Sequence, residues 1–138
     1  MAKLSSLLAA QSDFGYLLIR LVTGIILLVS GYNKIFNMGF AGVGEMFGKI
    51  NIILPTITGP FIGLLEIVGG IGLIVGLFTR VFGLLFAIEF VVATYTTWIT
   101  LARGYQGSRL EILLLVAGLL FATHGGGKYS VDKGRSWA

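Results

Sequence analysis

The chain has 138 residues, of which 56% are hydrophobic and 12% charged, with a mean hydropathy of +0.94. Soluble domains carry charge on about 25% of their residues, so this composition excludes a water-facing globular surface and defines an integral membrane protein. The absence of cysteine excludes disulfides, a thiolate nucleophile and cysteine-ligated clusters, and the single histidine, His124, cannot alone hold a metal or a bis-histidine haem. The net charge of +4 is spread along the chain and bears on membrane topology, not on nucleic acid.

A hydrocarbon core about 30 Å thick needs roughly 20 apolar residues per helix. Four segments meet that length. With Lys3 as its only early cation and no small-residue cleavage site downstream, the N-terminus is expected to be retained. The first span covers about 14–36 and contains LLIRLVTGIILLVSGY. The following link is the only long one. In it Phe40, Val43, Phe47 and Ile50 recur at helical spacing, with Glu45 and Lys49 an i,i+4 pair on another face, which predicts a short interfacial helix. Pro55 and Pro60 bracket the approach to the second span, at about 60–78. Thr79–Arg80 is a tight link that makes the second and third spans an antiparallel hairpin, the third covering about 81–101. A short link leads to the fourth span, about 109–123, and a polar tail follows over 124–138. The fold class is therefore an all-α membrane protein, a four-transmembrane-helix bundle with an interfacial helix between the first two spans, forming one domain.

Four spans place both termini on one side. That side would carry Lys3, Arg80, Lys128, Lys133 and Arg135, and the other Lys49 and Arg103, with Lys34 and Arg109 if these lie outside the bilayer. The excess favours cytoplasmic termini in an inner membrane.

Arg20, Glu66, Glu89 and Glu111 fall inside spans, one per helix, with Arg109 just before the last. Each costs at least about 2.5–3.5 kcal/mol at membrane depth, so each should face the bundle interior and find a partner. Spacing agrees. Arg20, Thr23, Gly24, Leu27, Gly31 and Lys34 share one helical face, as do Gly59, Gly63, Glu66, Gly70 and Leu73, where small residues allow close backbone approach. A Gly70→Leu change should accordingly impair packing and leave insertion intact. Two arginines oppose three carboxylates, so unless Lys34 reaches inward one carboxyl lacks a counter-ion and takes up a proton. The set Arg20, Lys34, Glu66, Glu89, Arg109 and Glu111 is thus either a polar ligand site in the bundle core or a group of ion pairs fixing helix register. Tyr95, Trp98, Tyr105, Tyr129 and Trp137 read as interfacial belts. His124, before Gly125–Gly127, reads as an interfacial residue at a glycine helix stop, with a proton-relay or quinone contact as the alternative.

The segments LLIRLVTGIILLVSGYNKIF, LLEIVGGIGLIVGLFTR and HGGGKYSVD resemble the DoxX-like family of small four-helix membrane proteins. The resembling positions are Arg20, the Gly31–Lys34 segment, Glu66 followed by Gly69 and Gly70, Thr79–Arg80, and the tail residues Gly126, Ser130 and Asp132. The resemblance implies the four-helix fold and an association with quinone- or quinol-linked oxidoreductase systems, with no family-wide catalytic set to carry over. The resulting expectation is an accessory or quinone-binding membrane subunit, in the lipid bilayer with a redox partner subunit or as a homo-oligomer. Its alternatives are a membrane scaffold and a small proton-coupled transporter. With no cysteine and one histidine, electrons would come from the partner, and the ligand would be a non-covalent quinone or quinol.

Overall fold

The computed structural model describes residues 1–137; of the predicted tail, Ala138 lies outside the described residues. A short helix α1 (Ala2–Ala9) precedes α2 (Ser12–Tyr32), which continues through a π-helical turn over Asn33–Asn37. Helix α3 (Gly39–Lys49) is the predicted interfacial helix. Then come α4 (Pro55–Val75), α5 (Thr79–Tyr95) with a second π-helical turn at Thr96–Thr100, and α6 (Gly104–His124). Four of these helices are long and apolar enough to span a bilayer: Ser12–Asn37, Pro55–Val75, Thr79–Thr100 and Gly104–His124.

Two boundaries differ from the sequence reading. The second span begins at Pro55 instead of residue 60, because a proline in the first turn gives up an N–H that has no helical partner anyway. The fourth begins at Gly104 instead of Arg109, so Arg109 lies within α6 and exposed. Helix α1 was not anticipated from the sequence. It has no buried residue, and Leu4, Leu7 and Leu8 stand exposed along it.

The bundle is built from two closely packed pairs. In the first, α2 lies against α4 through glycines. A methyl group on Gly24 would meet the Gly70 carbonyl at 2.7 Å, and one on Gly70 would meet the Gly24 carbonyl at 2.8 Å, so Gly70 faces another helix as its spacing predicted. In the second, α5 lies against α6, where a methyl on Gly83 would sit 2.6 Å from the Ala122 nitrogen and one on Gly118 would sit 2.8 Å from the Gly83 carbonyl. The α4–α5 link is tight, but α5 gives its closest contact to α6. The two pairs meet through large side chains: Phe86 and Phe82 pack over Gly69 and Gly72 of α4, and Leu27, Leu73, Phe86, Phe90, Leu114 and Phe121 form the core. Helix α3 covers the start of α4, burying Val43, Gly44 and Phe47.

The tail closes the bundle end that carries both termini. Val131 and Asp132 donate their N–H groups to the Val75 and Gly76 carbonyls at 3.2 and 3.0 Å. Gly76 has φ +76°, and a side chain there would strike Ser130, so the turn after α4 requires glycine. Phe78 enters α5 in the left-handed region at φ 52°. That conformation is held from outside: Asp132 accepts from the Phe78 and Thr79 N–H groups at 2.8 Å each and from the Trp137 indole at 2.7 Å. The Asp132 carboxylate, 1% exposed, thus caps the start of α5 from the tail.

Candidate functional site

The charged residues of the spans separate into two groups at different depths. The first is central. Glu66 lies eleven residues after the start of α4 and nine before its end, and Glu89 ten residues after the start of α5. At about 1.5 Å per residue both stand roughly 15 Å from the membrane faces. Gly31 lets α2 approach until a methyl there would be 2.8 Å from the Glu66 Cβ. One turn further, Lys34 extends its stem back along the helix, so that Nζ donates to Glu66 Oε2 at 2.9 Å and to Ser30 Oγ at 2.8 Å. The Glu66 side chain is 4% exposed and that of Lys34 18%.

Glu89 stands within reach of the Glu66 carboxylate and close to Lys34. Two ionised carboxylates hold no hydrogen between them. Both Glu89 oxygens are shut off from solvent and have no hydrogen-bond partner among the described residues. The cluster therefore sets one ammonium against two carboxyls, and Glu89 is the group left without a donor. Glu111, on α6, also has one buried oxygen without a partner.

The second group belongs to the tail end of the bundle, and here the expectation that Arg20 balances the carboxylates is corrected. Arg20 is 1% exposed, yet among the described residues every hydrogen bond it makes goes to a backbone carbonyl: Nε to Leu73 at 2.7 Å, Nη1 to Gly126 at 2.6 Å, Nη2 to Tyr129 at 2.6 Å and to Ile74 at 3.4 Å. Those carbonyls are the open acceptors of the last turn of α4 and of the tail, and a planar five-donor cation is well suited to them. Arg109 is corrected too. It is exposed and donates to Gln106 Oε1 at 3.0 Å, since α6 begins five residues earlier than expected and carries it on the solvent side. Lys34 takes the place of both arginines in the core.

His124 is exposed at the end of α6 and stacks on Tyr16, ring centroids 4.1 Å apart, while the Tyr16 hydroxyl donates to the Gly125 carbonyl. Arg80 donates to the Ala122 and Thr123 carbonyls at 3.1 and 2.6 Å, closing the C-terminus of α6 as Arg20 closes that of α4. The sequence reading missed the capping roles of Tyr16, Arg80 and Asp132. An isolated acid in a basic tail was the one available signal, and it named no partner. Asp132 is also the titratable group whose setting outside the spans is most distinctive: burial alone would raise its pKa, but the Thr79 N–H, the Trp137 indole and the Phe78 N–H together hold it below the usual carboxylate range.

On the lipid-facing side of α5 and α6 is an open apolar groove of about 330 Å³, lined by Val91, Thr94, Tyr95, Trp98, Ile99 and Leu115. It lies between the level of Glu89 and the α5–α6 turn. Trp98 and Tyr105 meet edge to face beyond it, centroids 6.4 Å apart.

A four-span helical bundle with a buried lysine–dicarboxylate cluster at mid-depth and an arginine-capped end defines a small multi-pass membrane protein. The chain belongs to the DoxX family, which it matches over residues 15–98. Among relatives, it is 33% identical over 121 residues to "Putative oxidoreductase CatD" of Bacillus subtilis (strain 168), covering 87% of this chain and 86% of that protein. It is 28% identical over 123 residues to "Inner membrane protein YqjF" of Escherichia coli (strain K12), covering 88% and 92%. No solved structure matches the chain.

Proposed function

We propose that the protein is a membrane subunit of a quinone- or quinol-linked oxidoreductase system, with Lys34, Glu66 and Glu89 as its ligand- and proton-handling site. The observation that carries this reading is the buried carboxyl of Glu89, unpartnered beside a Lys34–Glu66 pair at mid-membrane depth. Intramembrane ionisable groups are retained at a cost of several kcal/mol, and an acid lacking its donor is suited to receive one from a ligand hydroxyl. The residues fit a quinone–quinol couple: Glu89 offers two acceptor oxygens to a quinol hydroxyl, and the Lys34 ammonium supplies a donor for a quinone carbonyl. A bound quinone supplies a two-electron, two-proton carrier, with electrons exchanged with a partner subunit. Glu66 holds Lys34 in place through their 2.9 Å ion pair, which leaves Glu89 as the carboxyl that can accept from the ligand. The apolar groove on the lipid-facing side of α5 and α6 suits an isoprenoid tail. The name of the Bacillus relative, an oxidoreductase, agrees with this reading.

With Lys34 drawn into the core, the termini side carries Lys3, Arg80, Lys128, Lys133 and Arg135 against Lys49, Arg103 and Arg109 opposite. That balance favours cytoplasmic termini. The test is quinone content in the organic extract of protein purified in mild detergent. Stoichiometric quinone in the wild type, lost in Glu89→Gln and Glu66→Gln but kept in Arg20→Lys, supports the reading. Quinone no higher than the lipid background overturns it.

A further inference from the structure

Polar and apolar burial are divided unevenly about the Lys34–Glu66–Glu89 cluster. Toward the termini the next layer is Leu27, Leu73, Phe86 and Phe121, each at most 1% exposed, with the buried Thr23 as the one hydroxyl among them. Helix register places it there. Arg20 bonds the Leu73 and Ile74 carbonyls while Gly31 meets Glu66, so Leu27 and Leu73 lie between cap and cluster. On the other pair, Gly83 meets Ala122 and Ala87 meets Gly118, which sets Phe86 and Phe121 on the same side of Glu89. Apart from the single Thr23 hydroxyl, no side chain in this layer can bind or pass a proton. Behind it the Arg20 and Asp132 hydrogen bonds close the end of the bundle.

On the other side of the cluster a run of polar side chains is buried beside Phe90 and Leu114. The antiparallel register of α5 and α6 puts Glu111 at about the level of Thr94, beyond Glu89, with Thr96, Thr97 and Ser108 further out. All three hydroxyl residues are buried, at 6%, 8% and 0% exposure, and Glu111 has an oxygen without a partner. Lys34, its side chain 18% exposed against 4% for Glu66, is carried on the part of α2 that continues to this side. Both π-helical turns lie on this side, one of them carrying Lys34 and the other Thr96 and Thr97. Such turns rotate the following side chains out of α-helical register and are frequent at functional sites. Of the charged groups on the packed helices, Lys34, Glu66, Glu89 and Glu111 lie at the cluster or beyond it on this side; Arg20 and Arg80 hold carbonyls at the termini end, Arg109 is exposed beside Gln106, and the Glu45 and Lys49 of α3 pair with each other at the surface.

We propose that the cluster exchanges protons with one side of the membrane only, the side bearing α3 and the α5–α6 turn, past Lys34 and along Glu111, Thr97 and Ser108. The inference rests on the proposed role of the cluster as a proton site and adds its direction. Each event transfers one proton between water and a carboxylate oxygen of Glu89, with no electron moved. With cytoplasmic termini, protons released from a bound quinol would leave on the outer face.

The chain contains no cysteine, so an Ile53→Cys change in the exposed α3–α4 loop marks vesicle sidedness by its reaction with an impermeant thiol reagent. In sealed vesicles of known orientation, wild-type protein receives a pH step on one side while its protonated-carboxyl infrared band is followed. The expected band is absent in Glu89→Gln. It responds to a step on the Ile53 side and not to one on the termini side. A response to the termini-side step, to both or to neither overturns the proposal. A second measurement uses single cysteines at Thr97 and Leu73: Thr97→Cys should react from the Ile53 side, and Leu73→Cys from neither. Reaction of Leu73→Cys from the termini side, or no reaction of Thr97→Cys, counts against it. Sidedness without bound quinone would leave the inference standing and remove only the quinone reading; bound quinone without sidedness would do the reverse.

Discussion

Gly31 of α2 and Glu66 of α4 are in such close contact that a methyl group on the glycine would lie 2.8 Å from the glutamate Cβ and 2.6 Å from the Gly63 carbonyl. This approach is what brings Lys34, one turn further along α2, over the Glu66 carboxylate. The backbone of α4 cannot yield as a flexible side-chain end can. Gly31→Ala should therefore separate the helices and lower stability by about 1–3 kcal/mol, the usual cost of overpacking. Thermal unfolding in detergent is the measurement, and an unchanged Tm would show that the helices separate without penalty.

Removing the cation tests the pair itself. Lys34→Met leaves the Glu66 carboxylate, 4% exposed, beside Glu89 with no positive charge. Breaking a buried pair costs roughly 3–5 kcal/mol, because it leaves an uncompensated buried charge. Lys34→Met should therefore lower Tm in detergent, while the double change Lys34→Met, Glu66→Gln recovers most of the loss. A loss that the double change fails to recover would assign the Lys34 effect to packing alone.

The outline of the fold was legible in the sequence because a bilayer turns composition directly into geometry: runs of about 20 apolar residues can be nothing but spans. The helical faces were legible as well. Thr23, Gly24, Leu27 and Gly31 are all buried with Arg20, and Gly59, Gly63, Gly70 and Leu73 with Glu66, as periodicity required. Partner choice was not. Arg20 and Lys34 share a helical face, but spacing along one helix does not say at what height the facing helix presents its acid. That height is set by the glycine contacts between α2 and α4, which join residues some forty positions apart. Capping by the tail was equally hidden, since Asp132 reaches Thr79 across 53 positions and backbone carbonyls leave no mark in a sequence.

Arg20 should behave as a structural residue. Its guanidinium serves four carbonyls from α4 and the tail, and a lysine, a single point of charge on a flexible stem, cannot reproduce that fork. Each charged hydrogen bond lost is worth roughly 1.5–3 kcal/mol. Arg20→Lys should lower Tm markedly and make the tail susceptible to protease, while leaving any ligand at the Glu66–Glu89 cluster in place. Tail protection equal to wild type would show that the Gly126 and Tyr129 contacts are dispensable.

Asp132 gives the bundle end a pH dependence whose sign can be worked out. Hydrogen bonds from the Thr79, Trp137 and Phe78 nitrogens, outweighing the effect of burial, hold its folded-state pKa below the ordinary aspartate value of 3.8. The group therefore binds protons more readily unfolded than folded, so its contribution to stability is complete above the unfolded pKa and is lost as pH falls through the folded one. Between about pH 5 and pH 2 the wild type should lose stability more steeply than Asp132→Asn, which is already weakened at neutral pH. The variant keeps an acceptor oxygen for one N–H but presents an amide donor where the second was held, so α5 loses half of its cap. Tm measured across that range for both proteins decides the matter: parallel curves would mean that Asp132 holds Phe78 and Thr79 by shape and not by charge.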